Sequence, residues 1–223
     1  MHPGKKAAGE YAASFVESGM KVGLGTGSTA YYAIKKLGER VRGGLVITGY
    51  PTSRATEALA REEGIPLGDL TKVDRLDVTI DGADEFDPQL DLIKGGGGAL
   101  FREKVVASLS DTFLVVVDDA KKVDTLGAFA LPVEVVPFAW EITQRRIEAL
   151  GVRTTLRQSD NQPFVTDNAN YILDCHFGTI EHPARLHATL IDLIGVVETG
   201  LFIQMADKVM VGYQNGDIEE IVK

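Results

Sequence analysis

The sequence predicts an α/β protein, in which a Rossmann-like domain with a mostly parallel sheet precedes a smaller, ferredoxin-like α+β domain. Strand and helix patterns alternate through the first half of the chain, which is typical of a parallel sheet. The run at 112–119, TFLVVVDD, is apolar without a break until its two acids, as in a parallel strand covered on both faces. From residue 131 the order becomes β-α-β-β-α-β, the split βαβ arrangement. We therefore expect domains at 1–130 and 131–203, and a C-terminal hairpin at 204–223 that returns to the first domain.

The elements of the first domain follow from apolar spacing and from capping residues. Apolar residues recur at helical intervals in four segments, with short apolar runs between them. Gly19 is expected to end the first helix, and Ser53 or Thr52 to cap the third, which stops at Gly64. The predicted helices cover 4–18, 30–41, 53–63 and 97–109, and the predicted strands cover 20–23, 45–49, 76–81 and 112–119.

The second domain and the C-terminal hairpin are predicted in the same way. His182-Pro183 is a helix start, and Gln214-Asn215-Gly216 is a hairpin turn. The predicted strands of the second domain cover 133–138, 152–157, 170–177 and 196–202, its helices 139–150 and 182–194, and the hairpin strands 207–213 and 217–223.

Composition excludes several classes of protein. The chain is 44% hydrophobic and 25% charged, and no apolar run approaches the roughly 20 residues of a membrane span. The N-terminal segment has no apolar signal-peptide core, so we expect a cytoplasmic protein. A net charge of −9 argues against nucleic-acid binding and requires a local positive site for any anionic substrate. Cys175 is the only cysteine, and we expect a buried structural thiol.

A glycine-rich loop, GLGTGST at 23–29, follows a predicted strand and opens a predicted helix. Its backbone N–H groups and hydroxyls suit a phosphate. A dinucleotide fingerprint would need glycine at Ser28 and an acid near residues 43–48, and both are missing. No Gly-Lys-Ser/Thr follows, so a Walker loop is excluded. The loop predicts a monophosphate site, the alternative being a tight turn that binds nothing.

A second cluster, Asp81-Gly82-Ala83-Asp84, stands at the carboxyl end of a predicted strand, where open α/β sheets bind ligands. The two carboxylates could act as acid–base groups or, with Glu85 and Asp87, ligate a metal. A turn with solvated acids is the alternative. That alternative fits Glu85 and Asp87, and Asp91 is also expected to be surface charge.

The third cluster is Lys94, the glycines that follow it and Glu103. The N–H groups of Gly95 to Gly97 can point at a developing oxyanion, and Lys94 adds positive charge. Glu103 is expected about two turns into the next helix, facing back over its N-terminal end. The alternative for Glu103 is a surface ion pair with a neighbouring Arg102 or Lys104.

Together the segments TGST (26–29), DGAD (81–84), KGGGGAL (94–100), REK (102–104) and Lys121 resemble ribose-5-phosphate isomerase of the A type. The resemblance extends through PVEVVP, VTDN, ILD, GVVETGLF and the closing IVK. It implies interconversion of D-ribose 5-phosphate and D-ribulose 5-phosphate in the pentose phosphate pathway, a route of carbohydrate metabolism. It also implies no cofactor and no required metal, which removes the metal interpretation of the aspartates, and a homodimer or a dimer of dimers.

The resemblance assigns roles residue by residue. Glu103 matches the family's proton-transferring base, and Asp81, Asp84 and Lys94 match its other catalytic or substrate-contacting groups. The matched substrate-binding positions are Thr26, Gly27, Ser28, Thr29, Gly82, Ala83, Gly95, Gly96, Gly97, Lys121 and, on the phosphate side, Lys5.

For the reaction itself, we expect an enediolate intermediate, with Asp81 opening the furanose ring and Asp84 positioning a hydroxyl. One alternative is a sugar-phosphate sensor without catalysis, but no DNA-binding segment or basic face precedes residue 20. Another is a different reaction on the same scaffold, such as acyl-CoA transfer or amino-sugar deamination.

Overall fold

The computed structural model describes residues 2–223 as two compact units, which are interleaved along the chain. The first unit contains the described residues through Ala83, then 102–122 and 204–223. The second contains 84–101 and 123–203. The boundaries expected from the sequence therefore stay a prediction about folding domains.

Six α-helices and fifteen strands make up the described part of the chain. The helices are α1 (Pro3–Ser14), α2 (Ala30–Arg42), α3 (Arg54–Glu62), α4 (Leu100–Ser108), α5 (Trp140–Glu148) and α6 (Pro183–Ile191). The strands are β1 (Lys21–Leu24), β2 (Thr48–Pro51), β3 (Val78–Asp81), β4 (Glu85–Phe86), β5 (Leu92–Ile93), β6 (Phe113–Asp118), β7 (Leu131–Val135), β8 (Arg153–Leu156), β9 (Gln158–Ser159), β10 (Gln162–Pro163), β11 (Tyr171–His176), β12 (Val196–Thr199), β13 (Leu201–Phe202), β14 (Lys208–Gly212) and β15 (Ile218–Val222).

The first unit is built on a six-stranded sheet in the order β15-β14-β6-β3-β1-β2, parallel except for β15. Every residue of β3 and β6 is buried, and for β6 its continuous apolar run predicts this burial in a central parallel strand. Helix α1 packs closely against the start of α2 at Gly9, where an added Cβ would come within 2.8 Å of the Thr29 carbonyl oxygen. The mostly parallel α/β sheet expected from the sequence is confirmed.

The second unit contains a four-stranded antiparallel sheet in the order β12-β7-β11-β8. Helices α5 and α6 connect its strands in the β-α-β-β-α-β order predicted for the ferredoxin-like domain. Residues from β7, β11, α5 and α6 share one apolar core. A small sheet, β13-β5-β4, and the hairpin β9–β10 complete the unit.

Several predicted boundaries were wrong, for local reasons. The first helix stops at Ser14, because the Phe15 N–H turns back to the Ala12 carbonyl. The strand expected at 196–202 is two strands in different sheets, separated at Gly200. The Gly200 N–H donates to Pro132 O, and its carbonyl accepts from Lys94 N–H. The two-residue strands β4, β5, β9 and β10 were missed, because a period of two cannot be recognised in a pair of residues.

Glu63, just after α3, makes the stability of the first unit depend on pH. Its buried carboxylate accepts hydrogen bonds from Lys35 and Arg42 of α2. The pKa of Glu63 is below its ordinary value, chiefly because of the hydrogen bond from the Lys35 ammonium. The bond from Arg42 lowers it further, and burial opposes both effects. The folded state therefore releases this proton more readily than the unfolded chain does, and stability is lost as pH falls through the lowered pKa.

We expect Glu63→Gln to lower the free energy of unfolding at pH 7 by on the order of 1 kcal/mol, because the two cations are half exposed. The difference from the parent should shrink as pH falls below about 4, where the unfolded carboxyl is already protonated. Urea denaturation at both pH values measures it, with the exposed neighbour Glu62→Gln as the control. An equal loss at both pH values would contradict the assignment.

Candidate active site

Most of the predicted site residues of the first unit lie at one edge of its sheet. Strands β1, β2, β3 and β6 are parallel, so their carboxyl ends share that edge. The turns that follow them carry most of the residues predicted from sequence for this unit. The position agrees with the general place of ligand sites in open α/β sheets.

Asp81, the last residue of β3, is fully buried and holds two loops by their backbone. Its Oδ1 accepts from Thr26 N–H at 3.0 Å and from Gly82 N–H at 2.7 Å. The Gly25 N–H donates to Ile80 O at 2.9 Å, and this bond holds the glycine-rich loop against the end of β3. A Cβ at Gly25 would lie 2.2 Å from Asp81 Oδ1. Position 25 therefore admits only glycine without displacing the carboxylate.

The Thr26 hydroxyl belongs to a compact cluster of hydroxyl groups. It lies 2.7 Å from the Thr52 hydroxyl, 2.8 Å from that of Ser53 and 3.0 Å from that of Thr56. Thr52 and Thr56 in turn donate to two carbonyls at the beginning of the loop, Leu24 O and Gly25 O. The cluster ties the glycine-rich loop to the start of α3. Direct contact of Thr26 with substrate stays a prediction.

Ser28 carries the exposed hydroxyl of the loop, just before α2. Lys5 Nζ, from α1, donates to Ser28 Oγ at 3.0 Å and lies 3.6 Å from Asp118 Oδ2 at the end of β6. Lys6 instead faces Glu10 on the helix surface. An ammonium, a hydroxyl and the N–H groups at the start of α2 therefore meet at one place, which suits a phosphate.

Three more of the predicted residues, Gly27, Thr29 and Lys121, also lie in the first unit. Gly27 has a φ of +122° and is exposed, and Thr29 is buried as the N-cap residue of α2. Lys121 ends a short 3₁₀ turn at Asp119–Lys121, which the Asp118 carboxylate caps by accepting from Ala120 N–H at 3.1 Å. Asp118 was missed from sequence, although a carboxylate at a strand end is the same signal that identified Asp81.

Glu103 lies in the first turn of α4, not two turns into it, and is 3% exposed. The helix begins at Leu100 because Gly98, with a φ of +79°, still belongs to the preceding turn. The positive end of the helix dipole therefore stabilises negative charge on Glu103. Burial at this depth excludes the alternative of an exposed surface pair with Arg102 or Lys104.

In the second unit, Asp84 and the glycine loop form one structure. The Gly96 N–H donates to Asp84 Oδ2 at 2.7 Å, and a Cβ on Gly96 would lie 2.6 Å from Asp84 Oδ1. The Asp84 N–H is held by Ile93 O of β5 at 2.8 Å. Asp84 is therefore held in place through both its backbone N–H and its side-chain carboxylate.

The loop from Lys94 to Gly98 is a turn that only glycine allows. Gly95 and Gly98 have φ values of +102° and +79°, and the Gly98 N–H closes the turn on Gly95 O at 2.9 Å. Gly96 and Gly97 are exposed at its tip. Lys94 itself is buried, with Nζ 5.4 Å from the centre of the Phe202 ring. The ammonium therefore lies within cation–π distance of the Phe202 ring.

Three acids assigned to the surface from sequence are in fact buried, and that prediction was wrong. Glu85 accepts N–H groups from Gly127 and Phe129, with its Oε2 2.7 Å from the Gly127 nitrogen. Asp87 Oδ1 accepts from Gln89 and Asp91 N–H, both at 2.9 Å. Burial is the largest cause that raises the pKa of Asp87. The Glu85 and Asp87 carboxylates therefore hold backbone N–H groups, and Asp91 is buried as well.

Cys175 is buried in β11, and burial raises the pKa of its thiol, so the prediction of a structural thiol is confirmed. Within residues 2–223, no three His, Cys, Asp or Glu side chains are grouped so that they could hold a metal ion. No helix among these residues is long and apolar enough to cross a membrane.

Comparisons with known proteins point to one family. Residues 48–216 match the family model described as ribose 5-phosphate isomerase A (phosphoriboisomerase A). The chain is 53% identical over 213 residues to the ribose-5-phosphate isomerase A of Bacillus mycoides, covering 95% of this chain and 96% of that protein.

Two solved structures are similar over nearly the whole chain. A D-ribose-5-phosphate isomerase in complex with phospho-erythronic acid is 41% identical with a TM-score of 0.94, covering 98% of this chain and 97% of its own. The ribose 5-phosphate isomerase of Plasmodium falciparum is 35% identical with a TM-score of 0.97, covering 100% of this chain and 99% of its own.

Proposed function

This chain belongs to the ribose 5-phosphate isomerase A family and interconverts D-ribose 5-phosphate and D-ribulose 5-phosphate in the pentose phosphate pathway, and from that premise we propose that it does so through an enediolate formed by Glu103. The single observation that carries this mechanism is a buried carboxylate in the first turn of α4. Isomerisation moves one proton between C2 and C1, and one carboxylate can take it from the first carbon and return it to the second. A second proton passes between the oxygens on C2 and C1, so that the hydroxyl of one carbon becomes the carbonyl of the other.

Charge develops on an oxygen as the proton leaves carbon. We assign its stabilisation to Lys94 and to N–H groups of the glycine loop. The Gly96 N–H is engaged by Asp84, so within the loop we assign the donor role to Gly97 and Gly95. Because Lys94 is buried, its charge acts through little intervening water.

Ribose 5-phosphate is mostly a furanose, so the ring must open before the proton moves. We assign the proton shuttle of ring opening to Asp81 and the positioning of a sugar hydroxyl to Asp84. The backbone N–H groups that hold each carboxylate support these roles, because both acids are oriented before substrate arrives. Gly82 and Ala83, between them, complete the proposed contact surface for the sugar.

The phosphate is assigned to the start of α2, with Ser28 and Lys5 beside it and Lys121 as a second cation. Backbone N–H groups at a helix start and a nearby ammonium are the usual elements of a phosphate site. An anionic substrate needs such a local positive site, because the chain as a whole carries a net charge of −9.

The bound compound in the related structure supports the intermediate. Phospho-erythronic acid, present in that isomerase, carries a planar carboxylate beside a hydroxylated carbon. An enediolate has a similar planar shape and negative charge. A protein that binds such a compound is suited to stabilise the intermediate itself.

We also propose a homodimer or a dimer of dimers in the cytoplasm. Phe138 and Ile194, in the second unit, are 88% and 79% exposed, which supports an apolar contact with a second copy. Sedimentation equilibrium of the protein measures the assembly, and a monomer at micromolar concentration would contradict it. Cell fractionation measures the location.

The test of the reaction is simple. Purified protein is incubated with ribose 5-phosphate in excess EDTA, and ketose is followed by absorbance. We expect full turnover, because every assigned step uses a side chain or a backbone N–H of this chain. Loss of turnover in EDTA that returns with a divalent cation would contradict the proposal. A parallel incubation in magnesium without EDTA is the control.

A further inference from the structure

The glycine loop of the second unit is held from behind by an arginine that the proposed chemistry does not use. Arg157, immediately after β8, donates from Nη1 to Gly95 O at 2.8 Å and to Gly96 O at 3.2 Å. Its Nε donates to Asp174 Oδ2 at 3.0 Å, and its Nη2 bonds to Asp174 Oδ1. One guanidinium therefore connects a carboxylate of β11 to two consecutive loop carbonyls.

By holding two loop carbonyls, Arg157 also fixes the directions of the N–H groups that follow them. A planar trans peptide directs its C=O and the following N–H in opposite directions. Fixing the Gly95 carbonyl therefore fixes the Gly96 N–H, which donates to Asp84 at 2.7 Å. Fixing the Gly96 carbonyl likewise fixes the Gly97 N–H, to which we assigned a part in oxyanion binding.

The arginine is itself rigidly placed. Its N–H donates to Ile172 O of β11 at 2.9 Å, and its carbonyl accepts from Phe164 N–H at 2.8 Å across the β9–β10 hairpin. The Phe164 ring lies 5.9 Å from the guanidinium carbon and packs so closely on the loop that a Cβ on Gly98 would be 2.4 Å from it. The hairpin and β11 therefore form a support beneath the glycine loop.

We propose that Arg157 is a positioning residue for the isomerisation, acting through the carbonyls of Gly95 and Gly96 on Asp84 and on the Gly97 N–H. The inference rests on the proposed roles of Asp84 and the loop. The requirement is for arginine in particular, because a planar fork can bond to a carboxylate and two carbonyls at once. A lysine ammonium at this place cannot maintain both sets of contacts.

The experiment compares Arg157→Ala and Arg157→Lys with the parent on ribose 5-phosphate, with Arg153→Ala as the matched control. Arg153 is an exposed arginine of β8. We expect both Arg157 variants to lose about 10²-fold in kcat per folded molecule, with KM changed by less than about threefold. Added guanidinium chloride, well below denaturing concentration, should restore part of the kcat of Arg157→Ala and leave Arg153→Ala unchanged.

Circular dichroism supplies the folded fraction, and Arg157→Lys keeps the test available if the alanine variant does not fold. A kcat within about threefold of the parent in either folded variant would overturn the inference. So would a loss that guanidinium does not reduce in folded Arg157→Ala.

Asp84→Asn, measured in the same series, separates the two proposals. If it keeps parental kcat, the proposed role of Asp84 fails, whatever Arg157 does. If it loses kcat while Arg157→Ala keeps it, only the present inference fails. If Arg157 acts through Asp84, the double variant should lose less than the product of the two single losses.

Discussion

Replacement of Glu103 by glutamine is expected to lower kcat for ribose 5-phosphate by about 10²–10⁴-fold, the usual contribution of a general base. Glutamine keeps the size and the polar character of the side chain but cannot accept the proton from carbon. Because the site is buried in the first turn of α4, no water-exposed carboxylate can readily take over. KM should change little, since Glu103 acts on a carbon-bound proton and is not assigned to hold the phosphate.

Glu57→Gln is the matched control for this prediction. Glu57 also lies in the first turn of a helix, α3, where it pairs with Arg61 on the surface. The same change of charge there should leave kcat unchanged. Steady-state formation of ribulose 5-phosphate measures both variants, and a Glu103→Gln rate within a few-fold of the parent would refute the assignment.

A single methyl group at Gly25 is expected to lower kcat/KM by about 10²-fold, which is the scale of loss when catalytic groups are displaced by an ångström. The added Cβ would lie 2.2 Å from Asp81 Oδ1. The carboxylate and the loop must separate, which breaks the hydrogen bond from Thr26 N–H and moves the start of α2. The change therefore affects the proposed ring-opening acid and the proposed phosphate site together.

Gly43→Ala is the control for the glycine variant. Gly43 caps α2 at its other end, with a φ of −85° and its nearest new contact 3.3 Å away. We expect near-parental kcat/KM for it. Thermal denaturation shows whether each variant is folded under the assay conditions. Parental kcat/KM in folded Gly25→Ala would show that the Gly25–Asp81 approach has no role in the reaction.

The architecture and much of the proposed site could be predicted from the sequence because their signals are local. A continuous apolar run identifies β6, and an acid at the end of β3 identifies Asp81. Four consecutive glycines require an unusual backbone, and Gly95 and Gly98 do have positive φ. The role assigned to Glu103 depended on family resemblance, because a glutamate in a helix carries no local mark of catalysis.

Other features could not be predicted because they depend on contacts between segments far apart in sequence. Glu85 looks like a surface acid in sequence, and only folding brings the N–H groups of Gly127 and Phe129 to it. Arg157 stands about sixty residues from the loop that it contacts, and the register of β8 on β11 places it there. No sequence pattern reports such a register in advance, since it is set by the whole sheet.

Hydrogen exchange at the reacting carbons tests the central claim, that Glu103 carries a proton through an enediolate. The reaction is run in D₂O, and deuterium at C2 of ribose 5-phosphate and at C1 of ribulose 5-phosphate is followed by NMR. We predict incorporation with the parent enzyme, because a carboxylate exchanges its proton with solvent, and almost none with Glu103→Gln. Turnover by the parent without any deuterium uptake, or uptake by Glu103→Gln at the parental rate, would contradict it.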